Sequence, residues 1–288
     1  MKLGTNDISK LYLGLNEVQK VYSGSNLVYS NASNLWTPQQ LISDVPVWFD
    51  LNSYSTLTFN GTKISQIASI GDTSGVVATQ ATEAAQPEYI ASGINSLPVM
   101  RGDGLVSGTI MTTNWTPTAS TNYAVFMVAK KYTQTISTDS FFRPVINWSS
   151  GTTIRSLAAT RVGDSAENNL ALYSGTTERD ITLDWAVDET ILATAIRNAT
   201  TNRTRPWKNG VEGTGTLVAG AVTGQFQLLG HSARTSRRFA GDLAEIIWYQ
   251  GTIDTDTRQL FEGYLAHKYN LAGSLPTGHP YKDSAPTV

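Results

Sequence analysis

The sequence predicts an all-β protein with a short β-repeat at its N-terminus and one helix near its C-terminus. Three observations lead there. Residues 48–250 hold many short runs rich in β-branched and aromatic residues, separated by Gly, Asn, Thr and Ser turns. No segment of that span sustains a helical period. A single amphipathic stripe follows it, in TIDTDTRQLFEGYLAHKYNL. So many strands in one continuous region call for two packed sheets or a barrel.

The elements follow in order. The opening MKLGTNDISKLYLGLNEVQKVYSGSNLVYS repeats itself, with Gly4, Gly14 and Gly24 ten residues apart and Asn6, Asn16 and Asn26 two places behind. ISKLYL, VQKVYS and LVYS read as strands and the Gly-x-Asn triplets as turns. Ile8, Tyr12, Val18, Tyr22 and Val28 are the candidate anchor residues on this ribbon. Ordering each backbone residue costs about 1–2 kcal/mol, and a thin ribbon without its own core is marginal. Residues 1–30 are therefore expected to borrow stability from partner chains, and residues 31–288 to form the main domain. At Thr37-Pro38-Gln39-Gln40 a capping box with Pro at the first helical position starts a short helix that stops before Pro46. VPVWFDL is a buried strand, and strands such as YAVFMVAKK, ETILATAIRN and LAEIIWYQG continue to residue 250. The final helix places Leu260, Phe261, Tyr264, Leu265 and Tyr269 on one stripe; Asp254 or Thr255 caps it and Asn270 stops it. The tail SLPTGHPYKDSAPTV is extended.

Composition narrows the function classes. The 288-residue chain is 40% hydrophobic, with a formal charge of −2 and 15% charged residues. That charge offers no basic field for a polyphosphate, so no nucleic-acid partner is expected. No apolar run is long enough for a membrane helix, so no membrane insertion is expected. The first residues lack the charged, apolar and small-residue regions of a secretory signal, which suits synthesis in a host cytoplasm. There is no cysteine, hence no disulfide, thiolate metal site or cysteine nucleophile.

Residues 48–104, WFDLNSYSTLTFNGTKISQIASIGDTSGVVATQATEAAQPEYIASGINSLPVMRGDG, resemble the opening of laminin G-like, concanavalin A-like lectin/glucanase domains of phage and bacterial surface proteins. The ending FAGDLAEIIWYQGTIDTDTRQLFEGYLAHKYNLAGSLPTGHPY is similar to that family's last strand, helix and Leu-Pro-x-x-His-Pro-Tyr tail, and PWKNGV to its Asn-Gly hairpin. The resemblance spans about residues 35–286 and implies a two-sheet antiparallel jelly-roll sandwich. This fold hosts enzymes, lectins and spacers alike. The decapeptide repeat resembles the leading segments of phage tail-fibre and virion-appendage proteins. Together the two resemblances imply a virion surface protein, a homo-oligomer with a trimer favoured, that meets other virion proteins through residues 1–30 and host polysaccharide through its sandwich.

No catalytic set assembles from the sequence, and the chain is expected not to be an enzyme. Retaining glucanases of this superfamily need two carboxylates about 5–5.5 Å apart. The nearest run, Glu178-Arg179-Asp180-Ile181-Thr182-Leu183-Asp184, lacks a Glu at the required place. Glu245 sits in an apolar strand, where a carboxylate must be hydrogen-bonded or paired, so a structural role is expected. His231, His267 and His279 show no zinc spacing. Arg101-Gly102-Asp103 spells an adhesion tripeptide, but the family resemblance makes Asp103-Gly104 a turn in which Gly102 replaces a Phe. No cofactor is called for; Asp103, with Asp72 and Asp242, is the one calcium candidate.

Sugar recognition without metal combines aromatic faces with amide, carboxylate or guanidinium groups. Trp36, Trp48 and Trp248 read as core, whereas Trp115, Trp148, Trp185 and Trp207 lie near polar turns. Arg143, Asn147 and Trp148, with Trp207, form the candidate glycan contact. The basic run at Arg234, Arg237 and Arg238 could meet an acidic polysaccharide. The leading expectation is a tail-fibre or receptor-binding protein that binds host glycans; the alternatives are a capsid or tail decoration protein without sugar binding and, last, a glycoside hydrolase.

Overall fold

The computed structural model describes residues 35–105, 108–118, 121–133, 142–148, 155–160, 169–174, 178–215, 218–219, 224–233 and 237–288, with short strand segments between residues 2 and 30. The chain divides into two compact units, residues 1–36 with Thr287–Val288, and Thr37–Pro286.

In the first unit the repeat forms hairpins. Lys2–Leu3 pairs with Asn6–Asp7, Tyr12–Leu13 with Asn16–Glu17, and Lys20–Ser23 with Asn26–Ser30. The innermost pairs, Leu3↔Asn6, Leu13↔Asn16 and Ser23↔Asn26, recur with the ten-residue period. Two residues beginning with glycine separate each pair, the sequence preference of tight hairpin loops. Each hairpin is its own two-stranded sheet, so the expected single ribbon is replaced by three small ones among the described residues. Of the expected anchor residues, Ile8 and Val18 lie outside the described residues; Tyr12, Tyr22 and Val28 lie in these strands.

The second unit is an antiparallel sandwich. Its strands are β1 Val47–Asp50, β2 Leu57–Asn60, β3 Lys63–Ala68, β4 Val77–Thr79, β5 Glu88–Ile90, β6 Val99–Asp103, β7 Met111–Thr113, β8 Tyr123–Lys131 and β9 Phe142–Asn147. They continue with β10 Arg155–Thr160, β11 Asn169–Ser174, β12 Glu178–Asp184, β13 Thr190–Asn198, β14 Arg203–Lys208, β15 Val211–Glu212, β16 Val218–Ala219, β17 Gln227–Leu228 and β18 Ala240–Gln250. One sheet runs β14-β13-β8-β18, with β6 and then β1 along the far side of β18. The other runs β12-β11-β10-β9-β17-β7-β4-β3-β2. Strand β5 pairs with both β3 and β6, joining the two sheets into one closed network.

Alternation explains the core. Along β8 the inward residues Tyr123, Val125, Met127 and Ala129 meet Trp148, Leu157, Leu170 and Phe226 across the sandwich, all with Trp248 in one buried cluster. Strands β8 and β18 are buried on both faces over most of their length because a second layer covers them. That layer is helix α1, Thr255–Lys268, capped by Asp254, whose carboxylate accepts from Thr257 N at 2.7 Å. Phe261 of α1 stacks on Phe126 at 4.8 Å, and Tyr264 meets Trp48 edge-on. Asn270 ends the helix at φ +58°, as its place in the sequence predicts. The short helix Pro38–Asp44 carries its capping box, with Thr37 N donating to Gln40 Oε1 at 2.7 Å.

The tail motif locks onto α1. Gly263 leaves room for Tyr281: a Cβ there would stand 2.6 Å from the Tyr281 Cβ. His267 Nε2 lies 2.8 Å from Tyr281 O, and His279 Nε2 lies 3.3 Å from Glu262 Oε2.

Candidate functional site

A bulge in β18 sets up the site. Val128 faces Glu245 and Ala129 faces Leu243, so Ala244 is the extra residue, and Asp242 and Glu245 point to the same outer face despite being three apart. The two carboxylates meet different fates.

Glu245 is fully buried beneath α1 and saturated with donors. Trp48 Nε1 and Tyr264 OH donate to Oε1 at 2.7 and 3.1 Å, and Lys268 Nζ and Tyr269 OH to Oε2 at 2.7 and 2.9 Å. Lys268 also reaches Asp50 Oδ2 at 2.8 Å. Their own burial, then the charges of Glu245 and Asp50, pushes the Tyr264 and Tyr269 hydroxyls well above the ordinary phenol range. The hub ties α1 to β1 and β18. One ammonium bridges the two carboxylates of Glu245 and Asp50, and both oxygens of Glu245 are filled, which suits the structural role expected from sequence.

Asp242 belongs to a ladder. Strand register places Lys63 opposite Glu88, Glu88 opposite Arg101, Arg101 opposite Asp242, and Asp242 opposite Lys130. Residues directly opposite share a face, so five adjacent strands present one row of alternating sign. Arg101 forks Asp242 through Nε at 2.6 Å and Nη2 at 2.9 Å. Tyr132 OH donates to Asp242 Oδ2 at 2.7 Å, and its ring lies 5.0 Å from the Arg101 guanidinium and 5.2 Å from Lys130 Nζ. The hydrogen bond to Asp242 holds the Arg101 guanidinium above its ordinary range, and burial, then Asp242, pushes the Tyr132 phenol up to about 12.

Beside this row lies a cleft of about 170 Å3 lined by Lys63, Gln86, Glu88, Arg101, Gly102, Asp103 and Thr109. It is smaller than the roughly 300–1,000 Å3 that encloses a drug-sized ligand, so it suits one ring or substituent of a larger molecule. Asp103 shapes one wall: its Oδ1 accepts from Leu105 N and Thr109 N, each at 3.0 Å. Gly102 supplies bare backbone, since a Cβ there would stand 2.3 Å from Phe239 O. Gln86 is 4% exposed and donates from Nε2 to Gln80 O at 2.8 Å. A carbonyl only accepts, which fixes the amide's orientation. Its Oε1 is buried with no hydrogen-bond partner.

The structure moves the expected glycan contact inside. Arg143, Asn147 and Trp148 are 1%, 0% and 1% exposed and cannot face a saccharide. The Trp148 ring turns into the core against Tyr123 and Trp248, and Asn147 Nδ2 donates to Gln227 Oε1 at 3.2 Å. Trp207 is half-buried on the other sheet, with the Arg258 guanidinium 5.9 Å from its ring. Trp185 is fully buried and Trp115 half-buried. The basic run loses Arg238, which is buried and donates to Gly108 O and His231 O; Arg234 lies outside the described residues. The Arg101-Gly102-Asp103 tripeptide is strand, not a displayed loop. Asp103, the calcium candidate, spends one carboxylate oxygen on backbone amides, and among the described residues no group of three or more His, Asp or Glu side chains could hold a metal ion. Glu178 and Asp180 occupy β12, with side chains outside the described residues, and Asp184 is exposed. Among the described residues no helix is long and apolar enough to cross a membrane.

No protein-family model matches the chain, and no curated protein matches it. Solved structures do. The binding domain of Paraclostridial Mosquitocidal Protein 1 is similar over 77% of this chain and 52% of its own, at TM-score 0.53 and 10% identity. A Trypanosoma rangeli sialidase in complex with sialic acid is similar over 78% of this chain but 33% of its own, at TM-score 0.50 and 12% identity. Domain 4 of AbnA, an extracellular arabinanase of Geobacillus stearothermophilus seen with arabinotriose, is covered over 96% of its length and 74% of this chain, at TM-score 0.46 and 12% identity. At such identities the likeness is one of fold, the jelly-roll sandwich.

One expectation is overturned. The sequence alone set the chain outside the enzymes, yet an enzyme, a sialidase, is among the similar solved structures. The fold therefore gives no ground for setting catalysis aside, and the match, covering a third of the sialidase, assigns no activity to this chain.

Proposed function

We propose that this chain is a phage virion-surface protein of the tail-fibre or receptor-binding type, which contacts host-surface glycans through the cleft on its sandwich. The observation that carries the reading is the cleft itself, where a guanidinium, an ammonium, two carboxylates, an amide and a hydroxyl converge on a space for one small unit. The fold's likeness to a toxin's binding domain and to a sialidase seen with sialic acid supports it. Residues 1–30 serve as the anchor: three hairpins that share no sheet among the described residues gain from strands of other virion proteins or of further copies, a trimer foremost. Display in several copies then multiplies weak single-site binding.

A glycan array probed with the full chain, monomeric and multimerised, tests the recognition half. Binding that falls on mutating Arg101 supports it; blank arrays in both forms overturn it in favour of a decoration protein. Incorporation of a chain lacking residues 1–30 into particles would sink the anchor half.

A further inference from the structure

We infer that the cleft selects an uncharged, hydroxyl-bearing saccharide unit and discriminates against carboxylated or sulfated ones. This rests on the glycan-binding reading above and deepens it.

Two features carry the inference. The first is charge. Lys63 and Arg101 are offset by Glu88 and Asp103 among the lining residues, and both cations already have partners. Arg101 is forked by Asp242, while Lys63 lies 3.9 Å from Glu88 Oε1 and donates to Glu83 O at 3.3 Å. A bound anion would have to break one of these arrangements and would face the two lining carboxylates. Among the described lining residues no cation is left over to neutralise it. The second is the orphan acceptor. Gln86 Oε1 is buried, lacks a partner, and belongs to an amide held from its other end by Gln80 O. An acceptor so placed calls for a donor, and a sugar hydroxyl is one. The Glu88 carboxylate, side chain 44% exposed at the rim, is a second acceptor for a neighbouring hydroxyl.

The test uses the full chain on matched glycan pairs, each a neutral oligosaccharide and its carboxylated or sulfated counterpart, with affinities by titration. The neutral member is expected to bind more tightly by about tenfold or more, the equivalent of one charge-assisted contact. Gln86→Met keeps the chain's volume but removes the acceptor, and is expected to weaken neutral binding about five- to tenfold. Glu88→Gln is expected to narrow the neutral-to-acidic ratio, a readout that general loosening of the fold does not produce. Equal or tighter binding of acidic glycans overturns the inference, as does neutral binding indifferent to Gln86→Met in a variant of unchanged Tm. In either case glycan binding itself stands. Failure of every glycan, neutral and acidic, removes the reading beneath both.

Discussion

Arg101 holds Asp242 across adjacent strands with two parallel hydrogen bonds, Nε to Oδ1 at 2.6 Å and Nη2 to Oδ2 at 2.9 Å. The pair is lopsided in exposure, since the arginine side chain is 37% exposed and the aspartate 2%. Removing the arginine therefore strands a buried carboxylate, left with the Tyr132 hydroxyl at 2.7 Å. Arg101→Met is expected to cost about 2 kcal/mol, below the roughly 3–5 kcal/mol of a fully buried pair because solvent reaches part of the site. Arg101→Lys keeps the charge but not the fork and should fall between. Urea denaturation of the three proteins checks the order; an Arg101→Met variant as stable as wild type would show the fork to be idle.

Glu245 makes a second, sharper case. Its carboxylate is the shared acceptor of Trp48, Tyr264, Lys268 and Tyr269, so Glu245→Leu leaves three polar groups and a cation without it. A loss of about 3–5 kcal/mol is expected, against roughly 1–3 kcal/mol for Glu245→Gln, which retains an acceptor. Because the hub joins α1 to the sheet, proteolysis near residue 254 should accelerate in Glu245→Leu. Equal stability of the two variants would assign the hub's contribution to shape alone.

Gly102 is answerable by one methyl group. A Cβ at that position would stand 2.3 Å from the Phe239 carbonyl oxygen, which belongs to backbone and cannot rotate away. Gly102→Ala is expected to cost about 1–3 kcal/mol as an overpacking change. It should also weaken ligand binding, because the glycine lines the cleft. A Tm within about one degree of wild type, on the scale of several degrees per kcal/mol, would contradict the close approach.

How far these features were legible in sequence depended on their range. Local devices were plain: Asp254 and Asn270 bound the final helix, Thr37 and Gln40 form their box, and Trp48 and Trp248 are core. The ladder was not. Lys63, Glu88, Arg101, Lys130 and Asp242 come from five strands, and only pairing register, including the bulge at Ala244, aligns them. The misplaced contact at Arg143, Asn147 and Trp148 has the converse cause. Proximity in sequence to the polar run NWSSG suggested a surface, but the aromatic core claimed the indole and buried its neighbours. Gly102 stood out in sequence as a glycine where a Phe was expected, without revealing which carbonyl it must clear.

Lys131 yields a pH prediction with a definite sign. The side chain is wholly buried at the end of β8, where Nζ donates to the Trp185 carbonyl oxygen and lies 5.8 Å from that residue's ring. Burial pushes the ammonium down to about 8 from an ordinary 10.5. Between those values the unfolded chain binds a proton that the folded one has released. Stability therefore rises with pH in that window, by at most about 1.4 kcal/mol per pH unit. Above about pH 10 tyrosines oppose the trend: Tyr132, pushed up to about 12, keeps its proton in the fold after the unfolded chain loses it. The clean interval is therefore about pH 8 to 10. Denaturant midpoints at pH 8, 9 and 10 should climb in wild type and stay level in Lys131→Met, which keeps the aliphatic bulk and removes the ionisable group. A climb that survives in the variant would belong to another residue, and a wild-type midpoint that falls over the interval would mean that the buried lysine holds its charge in the fold.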